Sequence, residues 1–186
     1  MSTLIPDLQL ATKLVAGLRG GPQCVEAAAL LTEVGALLGY ELEARVVSVF
    51  ASVGTREGNH VTGEMGTAFG QSFLRRRGVN AILTGELQGG TPFERQAGHM
   101  IVVSQADGLI MDPTFSQFFS LGDQAIPLFA SNAHMKNGRF WAVSSEKLYV
   151  RYFACDEYKS ELDFDYRQEA SKPEAARLVE HIRTQR

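Results

Sequence analysis

Three residues of the types used in nucleophilic acyl chemistry stand in order along the chain: Cys24, His99 and Asp112. A thiolate attacks an acyl carbon, an imidazole moves the proton to the leaving group, and a carboxylate holds the imidazole's tautomer and orientation. Cys24 opens the helix-forming run Cys24–Leu38, where unpaired backbone N–H groups and the positive end of the helix dipole favour an anionic sulfur. His99 and Asp112 lie 13 residues apart across a hairpin whose loop is Gln105–Gly108. That loop pairs Ser104 with Leu109, which puts His99 and Asp112 on one face, one diagonal step of roughly 7 to 8 Å apart. Gln23 precedes the thiol and is the candidate oxyanion or substrate-binding side chain beside the Cys24 backbone N–H, with Gln117 a weaker candidate for the same task.

Taken singly, these residues have plainer readings. A lone cysteine is more often a small buried hydrophobe than a nucleophile, and an aspartate before a proline, as at Asp112-Pro113, can simply open a turn. Cys155 ends an apolar strand and reads as structural. A metal site made of Cys24, His99 and Asp112 has suitable ligand types but no close-spaced pair to anchor it. His60, His134 and His181 read as surface residues, and Arg75-Arg76-Arg77 as a solvated helix end. The phosphate-binding pattern G-x-x-x-x-G-K-[ST] is absent, as are H-E-x-x-H and G-x-S-x-G. The case for chemistry therefore rests on the three residues together.

The elements that must position them are legible from periodicity. Leu8, Ala11, Leu14, Val15 and Leu18 recur at helical spacing, with Asp7 as the expected cap and Gly20-Gly21 as the stop. Cys24–Leu38 is apolar nearly all round and closed by Gly39, which predicts a buried helix. Glu43–Val53 is β-branched and aromatic, a core strand. Gly54–Gly98 is glycine-rich and reads as loop, with a short helix over Thr67–Arg77; a segment of this length in a compact domain tends to shape or gate a binding groove. The hairpin follows, then the Asn137-Gly138 turn and strands over Arg139–Val143 and Leu148–Ala154. Ser171-Lys172-Pro173-Glu174 resembles a capping box that opens a terminal helix through Ile182. The expectation is an α+β fold, N-terminal helices packed on an antiparallel β-sheet, in one domain over 1–186 with the segment 156–186 loosely docked.

Composition bounds the function. The chain has 186 residues, 45% hydrophobic and 21% charged, enough apolar material for one core. Its 18 Lys+Arg against 21 Asp+Glu give a net charge of -3, which offers no broad positive surface, so nucleic acid is not an expected partner. Two cysteines are too few for a disulfide scaffold or a four-ligand zinc site. No apolar run approaches the roughly 18 to 20 residues that cross a bilayer, and the first residues lack the pattern of a secretory signal. A cytoplasmic protein is expected, or one secreted by a signal-independent route if it is an effector.

The three blocks Gly-Pro-Gln-Cys-Val-Glu-Ala around Cys24, Ala-Gly-His-Met-Ile-Val-Val around His99 and Leu-Ile-Met-Asp-Pro-Thr-Phe around Asp112 together resemble the transglutaminase-like cysteine enzyme superfamily, whose broader architecture is the papain-like fold. The likeness spans about residues 22–115. It implies that Cys24 is the nucleophile, His99 the proton carrier and Asp112 the residue that orients His99. It further implies thiol-based chemistry on a peptide, protein or small amide substrate, with neither metal nor organic cofactor required. Hydrolysis, as in a peptidase or deamidase, is the first expectation. The alternatives are an acyltransferase or transglutaminase using an amine acceptor, and a catalytically silent binding module on the same fold.

Overall fold

Leu and Ala recur at helical spacing near the start of the chain and form two helices, α1 (Leu4–Leu18) and α2 (Cys24–Leu38). The computed structural model describes residues 4–19, 23–53, 58–61, 72, 75–76, 78, 81–83, 99–118, 127–145, 148–155 and 163–185. α2 buries Ala27 through Thr32 together with Val34 and Gly35, as its apolar circumference requires. Gly39 ends it at φ 87°, a left-handed conformation that glycine adopts without a Cβ penalty. α1 begins at Leu4, so Asp7 is not its cap but lies in its first turn, where its charge still favours the dipole. Pro6 permits the earlier start, because a first-turn residue needs no intrahelical N–H.

Among the described residues eight strands follow in one sheet: β1 (Glu43–Val53), β2 (Gly58–Val61), β3 (Ala81–Leu83), β4 (His99–Ser104), β5 (Leu109–Asp112), β6 (Leu128–Ala130), β7 (Phe140–Ser144) and β8 (Leu148–Ala154). β1 pairs antiparallel with β4 along residues 43–47, with β8 along 47–53 and with β2 along 50–53. Phe50 to Val53 are bonded on both sides, to β2 and β8, and Val47 likewise to β4 and β8. So β8 runs along one edge of β1 while β4 and β2 take the other edge in succession. The edge changes hands just beyond Val47, whose partner is His99.

The segment read from sequence as loop thus contributes β2 and β3, and the β2–β3 pairing is parallel, so the sheet is not purely antiparallel. Strands of three and four residues carry too little pattern to read alone; β2 is held by the edge of β1 and β3 by β2. Of the helix expected over 67–77, the described residues form one turn, with the Arg76 N–H donating to the Ser72 carbonyl at 3.1 Å. The rest of that helix lies outside the described residues, as does most of the segment expected to gate a groove.

Strand alternation sorts the apolar residues into two cores. Ala44, Val46, Met100, Val102, Leu109 and Met111 face the helices. Val47, Val49, Ile101, Ile110, Val150 and Tyr152 fill the opposite side. Each fully buried aliphatic side chain of this kind contributes roughly 1.5–3 kcal/mol.

The last helix, α3 (Phe164–Thr184), is 21 residues long and starts well before Ser171, so the expected capping box does not form. The Ser171 hydroxyl instead donates back to the Arg167 carbonyl at 2.8 Å. Buried Phe164 anchors the earlier start, and Pro173 is tolerated on the exposed face. Ala175, Val179 and Ile182 join the α2 core, and Arg167–Glu26 and Arg19–Glu174 ion pairs tie α3 to the N-terminal helices. No helix among the described residues is long and apolar enough to cross a membrane.

Candidate active site

The β4–β5 hairpin pairs Ser104 with Leu109, Val103 with Ile110 and Val102 with Met111, which leaves His99 and Asp112 one diagonal step apart on the face of the second core. Their side chains close that step: His99 Nε2–H donates to Asp112 Oδ2 at 2.8 Å, with His99 2% exposed and Asp112 0%. The turn-forming role of an aspartate before proline is also present, on the other oxygen. The Thr114 N–H donates to Asp112 Oδ1 at 3.2 Å.

A third group holds the carboxylate. The Tyr152 hydroxyl donates to Asp112 Oδ2 at 2.9 Å. Tyr152 belongs to β8 and Asp112 to β5, which are separated in the sheet by β1 and β4. Across a flat sheet three strand spacings amount to about 14 Å, beyond the joint reach of the two side chains, so the sheet must curl around the second core to bring them together. Burial is the first cause, and the adjacent Asp112 charge the second, that raise the Tyr152 pKa well above 10.0 and keep it a proton donor.

Cys24 is the first residue of α2 and is half-buried against the helix-side core. Gln23 takes the N-cap position, where its carbonyl accepts from the Ala27 N–H at 2.9 Å while its exposed side chain makes no capping bond. Cys24 acts on the His99 ring through a hydrogen bond and its charge. Burial by itself lowers the His99 pKa, but the charge and hydrogen bond of Asp112, followed by the hydrogen bond and charge of Cys24, outweigh it and raise the value from 6.5 to about 10. His99 is therefore an imidazolium at neutral pH. Asp112 occupies Nε2.

The structure joins His99 to Asp112 by a direct hydrogen bond, with Cys24 acting on the same ring, and adds two residues to them. Gln117, on the 3-10 turn Phe115–Phe118 that follows Asp112-Pro113-Thr114, sets its amide 2.6 Å from His99 Nδ1. Tyr152 was not legible as a site residue. Its only signal is a tyrosine at an inward position of β8, whose buried hydroxyl must find a partner.

The remaining candidates lie elsewhere. Cys155 is 3% exposed and its sulfur meets Ser48 Oγ at 3.1 Å. His134 and His181 are exposed, as are Arg75 and Arg76, while His60 is carried by β2. A cavity of about 370 Å³ between α2, β1 and α3 is lined by Thr32, Arg45, Phe164 and Gln168 among others, and by none of the site residues. Among the described residues no group of three or more His, Cys, Asp or Glu side chains is arranged to hold a metal ion. Comparison with protein family models, with curated proteins and with solved structures finds no match to the chain.

Proposed function

We propose that this chain carries out acyl chemistry through a thioacyl intermediate on Cys24, with hydrolysis of a peptide or amide bond as its reaction. The observation that carries the reading is the buried 2.8 Å bond from His99 Nε2 to Asp112 Oδ2, with the Cys24 thiol acting on the same ring. A structural His–Asp pair would have no need of a half-buried sulfur at a helix start. The order and types of these residues are those of the transglutaminase-like, papain-like cysteine enzymes that the sequence resembles.

The steps follow from the protonation states. In the reaction the thiolate form of Cys24, favoured by the dipole at the start of α2 and by the His99 imidazolium, attacks the substrate carbonyl. A C–S bond forms and the carbonyl π pair moves to oxygen. As the tetrahedral species collapses, the C–N bond breaks, the amine leaves with a proton from the His99 ring, and a thioester remains on Cys24. Water, deprotonated by neutral His99, then attacks the thioester to release the acid and restore the thiol. Asp112 supports each step by holding the ring and stabilising its charged form. An amine in place of water would give transfer through the same intermediate.

Labelling with iodoacetamide across pH tests this reading, with alkylated peptides identified by mass spectrometry. At each pH Cys24 should be alkylated faster than a free thiol by the same reagent, and His99→Ala should abolish that enhancement. A Cys24 alkylated no faster than a free thiol, and indifferent to His99→Ala, overturns the proposal.

A further inference from the structure

Donors fill both oxygens of the Asp112 carboxylate. Oδ1 accepts from the Thr114 N–H at 3.2 Å and lies 3.5 Å from the Thr114 hydroxyl, while Oδ2 accepts from His99 Nε2–H at 2.8 Å and from the Tyr152 hydroxyl at 2.9 Å. Asp112, His99, Thr114 and Tyr152 are all buried, so bulk water does not dilute the coupling between these bonds. Two donors on one oxygen draw on the same electron density, and each weakens the pull felt by the other.

We propose that Tyr152 is a positioning residue for the acyl reaction: by sharing Asp112 Oδ2 it loosens the carboxylate's hold on the His99 proton, so that the ring can be neutral when water must be deprotonated. The inference rests on the acyl reading above and adds to it the control of the second half-reaction. Burial lowers the proton affinity of His99, while Asp112 from β5 and then Cys24 from α2 raise it; the uncharged Gln117 amide stands at Nδ1. Once Cys24 is a thioester, its thiol hydrogen and its charge are gone, and among these groups Asp112 alone holds the proton on the ring. In that half-reaction a water O–C bond forms as the water proton passes to neutral His99. The C–S bond then breaks, the sulfur leaves with the electron pair, and the ring returns the proton to it. Too firm an Asp112–His99 bond would keep the ring charged and unable to accept the water proton. Tyr152 remains a donor throughout, because burial first and the Asp112 charge second raise its own pKa well above 10.0.

The His99 ring protons, followed by NMR through the alkaline range, read the titration midpoint. With Tyr152→Phe the midpoint should rise by roughly half to one pH unit, a part of the worth of a hydrogen bond to a charged group. With 3-fluorotyrosine in place of Tyr152, a more acidic hydroxyl and a stronger donor, it should fall. A merely structural tyrosine predicts the reverse for Tyr152→Phe: an unpinned Asp112 drifts from the ring, and the midpoint drops toward 6.5. Any pair of movements other than a rise and a fall overturns the proposal. Should Tyr152→Phe fail to fold, the fluorotyrosine protein, which keeps the hydroxyl, decides alone.

Turnover of p-nitrophenyl acetate gives a second readout, since its leaving group needs no proton. Tyr152→Phe should slow steady-state release, which reports deacylation, by about 3–10-fold, at tenfold per pH unit of midpoint. The initial burst, which reports acylation of Cys24, should keep its rate. Equal slowing of both phases overturns the proposal. A wild-type Cys24 that is not acylated overturns the acyl reading itself, an outcome visible without any Tyr152 variant.

Discussion

Tyr152 Oη and His99 Nε2 donate to the same oxygen, Asp112 Oδ2, at 2.9 and 2.8 Å. A carboxylate oxygen has the lone pairs to accept both. The arrangement gives Asp112 a donor that stays protonated whatever His99 does, which holds the carboxylate in place. Tyr152→Phe removes this bond and leaves the ring packing intact. It should destabilise the fold by about 1.5–3 kcal/mol, the worth of a hydrogen bond to a charged group, measured by urea unfolding.

Asp112→Asn keeps the volume and removes the charge. Burial, the largest influence on His99 and a lowering one, is then no longer opposed by the strongest raising one. The imidazole should become neutral at pH 7, which the ring proton shifts in NMR report directly. Alkylation of Cys24 at neutral pH should fall accordingly. An imidazolium that persists in this variant would place the source of its charge elsewhere.

The His99 pKa also fixes the sign of a pH dependence. The folded value, about 10, lies above the ordinary 6.5, so the protonated ring is the form that folding favours. Its stabilisation is fully present below about pH 6.5 and is lost as the pH rises through about 10. Urea midpoints should therefore decline across this alkaline window, and His99→Gln should flatten the decline.

Gly108 ends the turn that sets the hairpin register. It sits at φ 61°, and a Cβ there would lie 2.6 Å from His134 Cε1. Gly108→Ala should destabilise by about 1–2 kcal/mol from backbone conformation alone, plus the clash. The double variant Gly108→Ala with His134→Ala should recover the clash but not the backbone cost, a difference that a double-mutant cycle resolves. A slip of one residue in this register would turn His99 and Asp112 to opposite faces, so Cys24 reactivity in these variants reads whether the register survives.

Much of this arrangement was open to inspection in the sequence. The bounds of α2 and β1, the hairpin and its pairing were legible because each depends on dense local pattern: an apolar helix with a glycine stop, a β-branched run, a four-residue turn. β2 and β3 were not, because their pairing with one another and with β1 is a property of the sheet. The start of α3 was misplaced at Ser171 because a strong local capping signal masked the buried anchor at Phe164. Tyr152 and Asp112 are 40 residues apart on strands that do not pair, and only the curl of the sheet makes them neighbours. Gln117 was read as a weaker oxyanion candidate, and its contact with His99 Nδ1 is a matter of side-chain geometry that spacing does not reveal.

Cys24 travels with the helical layer, through α2, while His99 and Asp112 ride on the opposite face of the sheet. Sulfur and ring therefore keep their separation only as long as the two layers stay seated on each other. Loosening α3 at Ile182 or Val179 would slacken α2 and silence the thiol with every reactive group still present and the His–Asp bond unbroken. Loss of function from distant substitutions in the terminal helix is then the signature of a displaced layer, not of a damaged centre.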